Sequence, residues 1–127
     1  MDGYSLDDNL FKVVEKQEFA IRDFGFPWEH AGQIIEQIRG ECKEVEEALQ
    51  EVDKAHLQEE VGDLMQAAIT LAVFCGLDPQ ETLLASIHKF QKRFDLIVAL
   101  AKQDGHETLH GQPFDVLMSY WNRAKEG

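Results

Sequence analysis

Basic residues are scarce in this 127-residue chain: 12 Lys and Arg face 24 Asp and Glu, and the formal charge is −12. That balance argues against a nucleic-acid polymer as partner, because neutralising a phosphate backbone needs net positive surface. A single nucleotide is still allowed, since a bound metal can offset its charge. Cysteine is nearly absent. Cys42 and Cys75 form neither a disulfide framework nor a ligand motif, which points to free thiols in a reducing cytoplasm. No apolar run approaches the roughly twenty residues that span a bilayer, so no membrane partner is expected. The opening Met1-Asp-Gly-Tyr-Ser5 lacks the basic and apolar regions of a signal peptide. There is no Gly-rich phosphate loop, no Ser-His-Asp arrangement, no zinc-finger spacing, no internal repeat and no strand-like alternation.

What the chain does have is helical periodicity. With 44% hydrophobic and 28% charged residues it reads as one ordinary globular domain over residues 1–127. A first helix is expected from about Ser5 or Leu6 to Arg22, broken by Asp23-Phe-Gly-Phe-Pro-Trp28. A second runs from about His30 to Val52, with Ile34, Ile35, Ile38, Cys42, Val45 and Leu49 as its apolar stripe. A third, capped by Asp53 and ended by Gly76, carries Leu57, Val61, Leu64, Ala68, Leu71 and Ala72. Asp78-Pro-Gln-Glu81 has the pattern of a capping box and opens a fourth helix that Gly105 ends. A short terminal helix after Pro113 carries Phe114, Leu117, Met118 and Trp121. Phe90, Phe94 and Trp121 are read as core, and Cys42 as a buried thiol. Short connections between long amphipathic helices imply an all-α antiparallel bundle of four to five helices.

Acid is concentrated between residues 41 and 63, where nine carboxylates meet only Lys43 and Lys54. Within this stretch stand Glu41-Cys-Lys-Glu44 and Glu60-Val-Gly-Asp63, each with two carboxylates three residues apart on one helix face. At 100° per residue, Glu41 and Glu44 lie about 70° and about 130° to one side of their helix's apolar centre. Glu60 and Asp63 lie at about the same offsets, to the same side, of theirs. Two antiparallel helices on one core are related by a two-fold axis, which turns equal offsets toward each other. All four acids are therefore expected on one groove wall, with Glu46, Glu47 and Glu59 left in solvent. Carboxylates at close quarters repel, and a hard divalent cation such as Mg²⁺ is their natural occupant. Solvated glutamates are the plainer reading of any one of these residues; the repeated pairing argues against it. The outer pair, Glu44 and Asp63, needs cover from the fourth helix or another subunit, a sign of oligomerisation.

Further along, His88-Lys-Phe-Gln-Lys-Arg93 has no acid at all. At this point the chain resembles the MazG family of all-α nucleoside triphosphate pyrophosphohydrolases. The pattern is Glu-x-x-Glu on one helix, Glu-x-x-Asp on the next, then a basic Lys-x-x-x-Arg helix. Phe24-Gly-Phe-Pro-Trp28, Glu59-Glu-Val-Gly-Asp-Leu64, Leu77-Asp-Pro-Gln-Glu-Thr-Leu83 and Lys89-Phe-Gln-Lys-Arg-Phe94 follow in family order. Leu117 to Lys125 is similar to the terminal Trp-containing helix, so the resemblance covers about residues 18–125. It implies that Glu41, Glu44, Glu60 and Asp63 ligate Mg²⁺, with Mn²⁺ as substitute, and act in catalysis. It also implies that Lys89 and Arg93 contact the substrate's phosphates, with Lys92 near the same face. Trp28 either stacks on a base or staples the first helix to the second. Three positions depart from the family pattern: Gly40 stands where a Glu is common, Gln37 where a Lys is, and Ile87 where an Asn is.

The activity implied is Mg²⁺-dependent cleavage of a nucleoside triphosphate to monophosphate and pyrophosphate by water attack at the α-phosphorus, in a cytoplasmic homodimer or homotetramer. The alternative is a non-catalytic MazG-like module that binds nucleotide or a protein partner, suggested by Gln37 and Ile87. A di-iron bundle would need Glu-x-x-His pairs. Glu107-Thr-Leu-His110 falls in a loop and Asp53-Lys-Ala-His56 straddles a helix start, so neither pairs with the acids in the required way.

Overall fold

The computed structural model describes residues 3–127, and among them it contains five helices and no strand. The helices are α1 (Leu10–Phe24), α2 (Ala31–Leu49), α3 (Lys54–Phe74), α4 (Pro79–Gln103) and α5 (Phe114–Glu126). The all-α expectation holds. Two compact units divide the chain, one ending at Thr82 and the other running Leu83–Gly127, so the break falls inside α4.

In the first unit, α1 starts four or five residues later than periodicity suggested. Asn9 is the reason: its side-chain oxygen accepts from the Phe11 and Lys12 N–H groups at 3.1 and 3.3 Å, ending the extended approach. Ser5 and Asp8 form a separate turn before it, and Leu6, expected in the helix, is fully exposed there. The helix stops at Gly25, whose φ of 107° only glycine adopts cheaply. The Gly25 N–H reaches the Arg22 carbonyl and the Phe26 N–H reaches Ile21, each at 3.0 Å, a Schellman closure.

α2 and α3 form an antiparallel hairpin. Ile34, Gln37 and Glu41 of α2 share a cleft with Asp63, Gln66 and Thr70 of α3, the order along one helix running against the order along the other. Asp53 caps α3 as expected, accepting from Ala55 and His56 at 3.1 and 3.2 Å. α2 ends at Leu49 rather than Val52, because Gln50 and Glu51 bond back to Glu47 and Ala48 and close the turn. Val52 is fully exposed.

The stripe expected along α2 is only partly inside. Ile34 is the best-buried large side chain at 1% exposure, and truncating such a residue to Ala costs about 2–5 kcal/mol. Cys42 and Leu49, in contrast, are exposed. The buried-thiol reading of Cys42 is thus corrected: one residue past Glu41, it is turned about 100° away from the seam. On α3 the buried line is Glu60, Ala67 and Thr70, offset from the expected stripe. α1 joins α3 through Gln66 Nε2 donating to Gln17 Oε1 (3.0 Å) and Thr70 Oγ1 donating to Glu18 Oε1 (2.9 Å).

In the second unit, Ala101, Tyr120 and Ala124 are buried. Tyr120 donates to Asp104 Oδ2 at 2.7 Å, and Arg123 Nη1 donates to the same oxygen at 3.0 Å. Phe90 and Phe94, expected in the core, are exposed, and Trp121 is half-buried with its ring 5.7 Å from that of Phe90. α5 has 13 residues against 25 in α4, and even Phe90, which meets an α5 ring, stays exposed. No single helix among the described residues is long and apolar enough to cross a membrane.

Candidate functional site

The site grows from the α2–α3 seam. Glu41 projects from α2, and Glu60 and Asp63, one turn apart, project from α3. Each offers a carboxylate oxygen within 4.8 Å of the other two. Glu60 is buried, Glu41 half-buried and Asp63 exposed, so the group grades from the helix seam to solvent. Such a cluster could hold a metal ion: its donors are all hard oxygens, and it lacks enough positive charge of its own.

Three of the four acids singled out in the sequence therefore come together. Glu44 does not bring an oxygen into the group and is exposed on α2. Its larger angular offset explains this, since it points further from the seam than Glu41. It is nonetheless near enough to be felt. Burial, then the charges of Asp63, Glu60 and Glu44, push the Glu41 carboxyl above the ordinary glutamate value. Glu46, Glu47 and Glu59 lie in solvent as expected.

Among the described residues, no Lys or Arg lies within 4.0 Å of a cluster carboxylate; the one ion-pair partner is His56. Its Nε2 lies 3.2 Å from Glu60 Oε1, and its Nδ1 lies 2.7 Å from Glu51 Oε2. The hydrogen bond to Glu51 chiefly raises the imidazole's pKa, with partial burial opposing and the Glu51 and Glu60 charges adding. Sequence reasoning met His56 only as half of an iron-type pair. Its position four residues before Glu60, one helical turn, was the available signal.

Two of these acids, Glu41 and Asp63, open onto a cleft of about 330 Å³. Glu41 and Asp63 stand on its wall with Gln37 and Gln66, and Trp28 and Glu18 line it too. Trp28, Glu18 and Thr70 also line a smaller, more apolar recess of about 170 Å³, completed by Phe19, Phe26 and Phe74. Trp28 thus stands between an acidic cleft and an aromatic recess, where it both packs and presents ring surface. Gln37 faces the cleft with a neutral amide.

The basic candidates belong to the second unit. Lys89 and Lys92 line an open groove on α4 with His88, Gln91 and Asp95. Arg93 is half-buried, its guanidinium 5.5 Å from the Trp121 ring centre, in cation–π contact.

Comparison with known proteins decides the family. The model of the MazG nucleotide pyrophosphohydrolase domain matches residues 29–97, more than half of the chain and the whole of the acidic hairpin. The chain belongs to the MazG family. It is 32% identical over 128 aligned residues to a nucleoside triphosphate pyrophosphohydrolase of Escherichia coli, an alignment covering 95% of this chain and 48% of that protein. The corresponding protein of a second Escherichia coli strain gives the same figures. It is also 35% identical over 71 residues to the uncharacterized protein YabN of Bacillus subtilis, covering 56% of this chain and 14% of YabN. This MazG chain thus spans about half the length of the Escherichia coli relatives it matches.

Proposed function

We propose that this MazG-family chain hydrolyses nucleoside triphosphates to nucleoside monophosphate and pyrophosphate, with Mg²⁺ as its metal and Mn²⁺ as substitute. One observation carries the reading: Glu41, Glu60 and Asp63 converge, and Glu41 and Asp63 line a cleft that also presents Trp28, in a member of a pyrophosphohydrolase family. The activity named for the Escherichia coli relatives agrees with it.

Glu41, Glu60 and Asp63 would hold the ion, with Glu44 at the outer edge. When bound, a hard divalent cation supplies Lewis acidity: it offsets triphosphate charge and makes water easier to deprotonate. One of the carboxylates accepts the proton from a water attacking the α-phosphorus. The new bond joins water oxygen to that phosphorus, and the bond to the α,β-bridging oxygen breaks. Lys89 and Arg93, helped by Lys92, are assigned to the charge on departing pyrophosphate, supported by their one-turn spacing and family resemblance. Trp28 is assigned to the base, supported by its place between cleft and recess. A second copy completes the assembly in this reading, supported by the apolar side chains that Met65, Phe74, Leu77, Ile87 and Phe90 leave exposed.

Hydrolysis of a panel of canonical, deoxy and modified nucleotides in ¹⁸O-water with Mg²⁺ tests the proposal. Label in the monophosphate, with pyrophosphate as the other product, is the expected result. Label in pyrophosphate, or release of orthophosphate, would overturn the mechanism. Inactivity across the whole panel would favour a nucleotide-binding module instead, the reading to which Gln37 on the cleft wall lends support.

A further inference from the structure

His56 is placed to act through Glu60 rather than on substrate. It sits in the first turn of α3, where the Asp53 carboxylate already holds its backbone N–H at 3.2 Å. Its ring is fastened on both edges, by Glu51 of the α2–α3 turn at 2.7 Å and by Glu60 of α3 at 3.2 Å. Glu60 is the most enclosed of the three clustered acids, its side chain 12% exposed. A buried glutamate beside two other carboxylates has every electrostatic reason to swing away from them. An N–H donor on one of its oxygens opposes that swing, because leaving would forfeit a charge-assisted hydrogen bond.

We propose that His56 is a positioning residue for the metal site: Nε2–H pins the Glu60 carboxylate toward Glu41 and Asp63, and Glu51 holds the imidazole in place from behind. The assignment rests on the reading of Glu41, Glu60 and Asp63 as metal ligands. It makes the hairpin turn part of the site, since Glu51 lies in the turn itself. A purely local role, stiffening the start of α3 by a one-turn ion pair, would leave metal affinity alone. The two roles therefore separate in a binding measurement.

The experiment titrates Mn²⁺ into the full chain and follows free Mn²⁺ by its electron paramagnetic resonance signal, with no nucleotide present. The chain variants are His56→Ala, His56→Gln and His56→Asn, with Glu60→Gln as the ligand-loss control. A glutamine amide nitrogen reaches about where Nε2 stands, whereas an asparagine amide nitrogen reaches only about as far as Nδ1. His56→Ala and His56→Asn are expected to weaken saturable Mn²⁺ binding by about tenfold or more, the usual effect of losing a partner that orients a ligand. His56→Gln is expected to restore most of it. Equal affinities in the native chain and His56→Asn would overturn the assignment while the metal site stood, whatever happened to thermal stability. Equal weakness in His56→Gln and His56→Asn would also overturn it, since the Nε2 donor would then not be the cause. Absence of saturable binding in the native chain would overturn the metal site and this inference together.

Discussion

Glu41 on α2 and Asp104 just beyond α4 are both carboxylates that reach solvent, yet their acidities are displaced in opposite directions. Around Asp104 the neighbours are donors: Tyr120 first and Arg123 next hold its carboxyl below the ordinary aspartate value. Around Glu41 they are other acids, and burial together with Asp63, Glu60 and Glu44 holds its carboxyl above the ordinary value. The first arrangement is complete in itself and ties α5 to the end of α4. The second is built at a cost to the metal-free protein, relieved only in part by His56. A charge that the fold satisfies belongs to structure; one that it concentrates and leaves wanting a cation marks a place for a ligand.

The largest effect that could break this contrast is on turnover. Glu41→Gln, Glu60→Gln and Asp63→Asn should each cut pyrophosphate release by about a hundredfold or more, since each removes a proposed metal ligand, a larger loss than the about 10–100-fold for a partner that only orients one. Circular dichroism should show undiminished helix content in each. A collapse of helicity would mean that these acids are structural, like Asp104.

Next in size is the response to metal. Saturating Mg²⁺ or Mn²⁺ at a hundred times its dissociation constant should stabilise the native chain by about 2.7 kcal/mol, because it binds only the folded state. Glu60→Gln should show almost none of this gain in a calorimetric scan. Equal shifts in both would reduce the effect to screening of the −12 charge.

A smaller change is expected at the other corner. Tyr120→Phe removes the principal donor to Asp104 and should lower the thermal midpoint by a few degrees, a loss like that of one hydrogen bond to a charged group. The Mn²⁺ titration should be unaltered, and a weakened one would show that the two corners are coupled.

The smallest effect is the pH dependence, with opposite signs at the two places. Because the folded state raises the Glu41 pKa, its contribution to stability is fully present below the ordinary value of 4.5 and lost as pH rises through the folded one. In chelator, Glu41→Gln should thus be more stable than the native chain at neutral pH, the gap closing on acidification. Asp104, with its pKa lowered, contributes above the ordinary value of 3.8 and loses that contribution as pH falls through the folded one. Asp104→Asn should be the less stable protein at neutral pH, and its gap should also close in acid. Melting curves of both variants across pH 3–8 on the order of one unit apart check the two signs.

Helix type and order were legible in the chain because they depend on local chemistry. Asp53, Gly25 and the Asp78-Pro79 start act on the backbone within a few residues, and each works where its sequence context places it. The convergence of Glu41, Glu60 and Asp63 was legible too, since helical angles and a short turn leave a hairpin few ways to pair. Packing and partnership needed the tertiary structure. Periodicity could not tell that Cys42 and Leu49 face water, that Phe90 and Phe94 stay exposed although Phe90 meets Trp121 of α5, or that Thr70 is buried against Glu18. Nor could it tell that Glu44 stands apart from the other three acids, or that one imidazole spans Glu51 and Glu60. Local propensity sets where a side chain leaves its own helix. What that side chain meets depends on how neighbouring helices cross and how far they extend, which three dimensions alone decide.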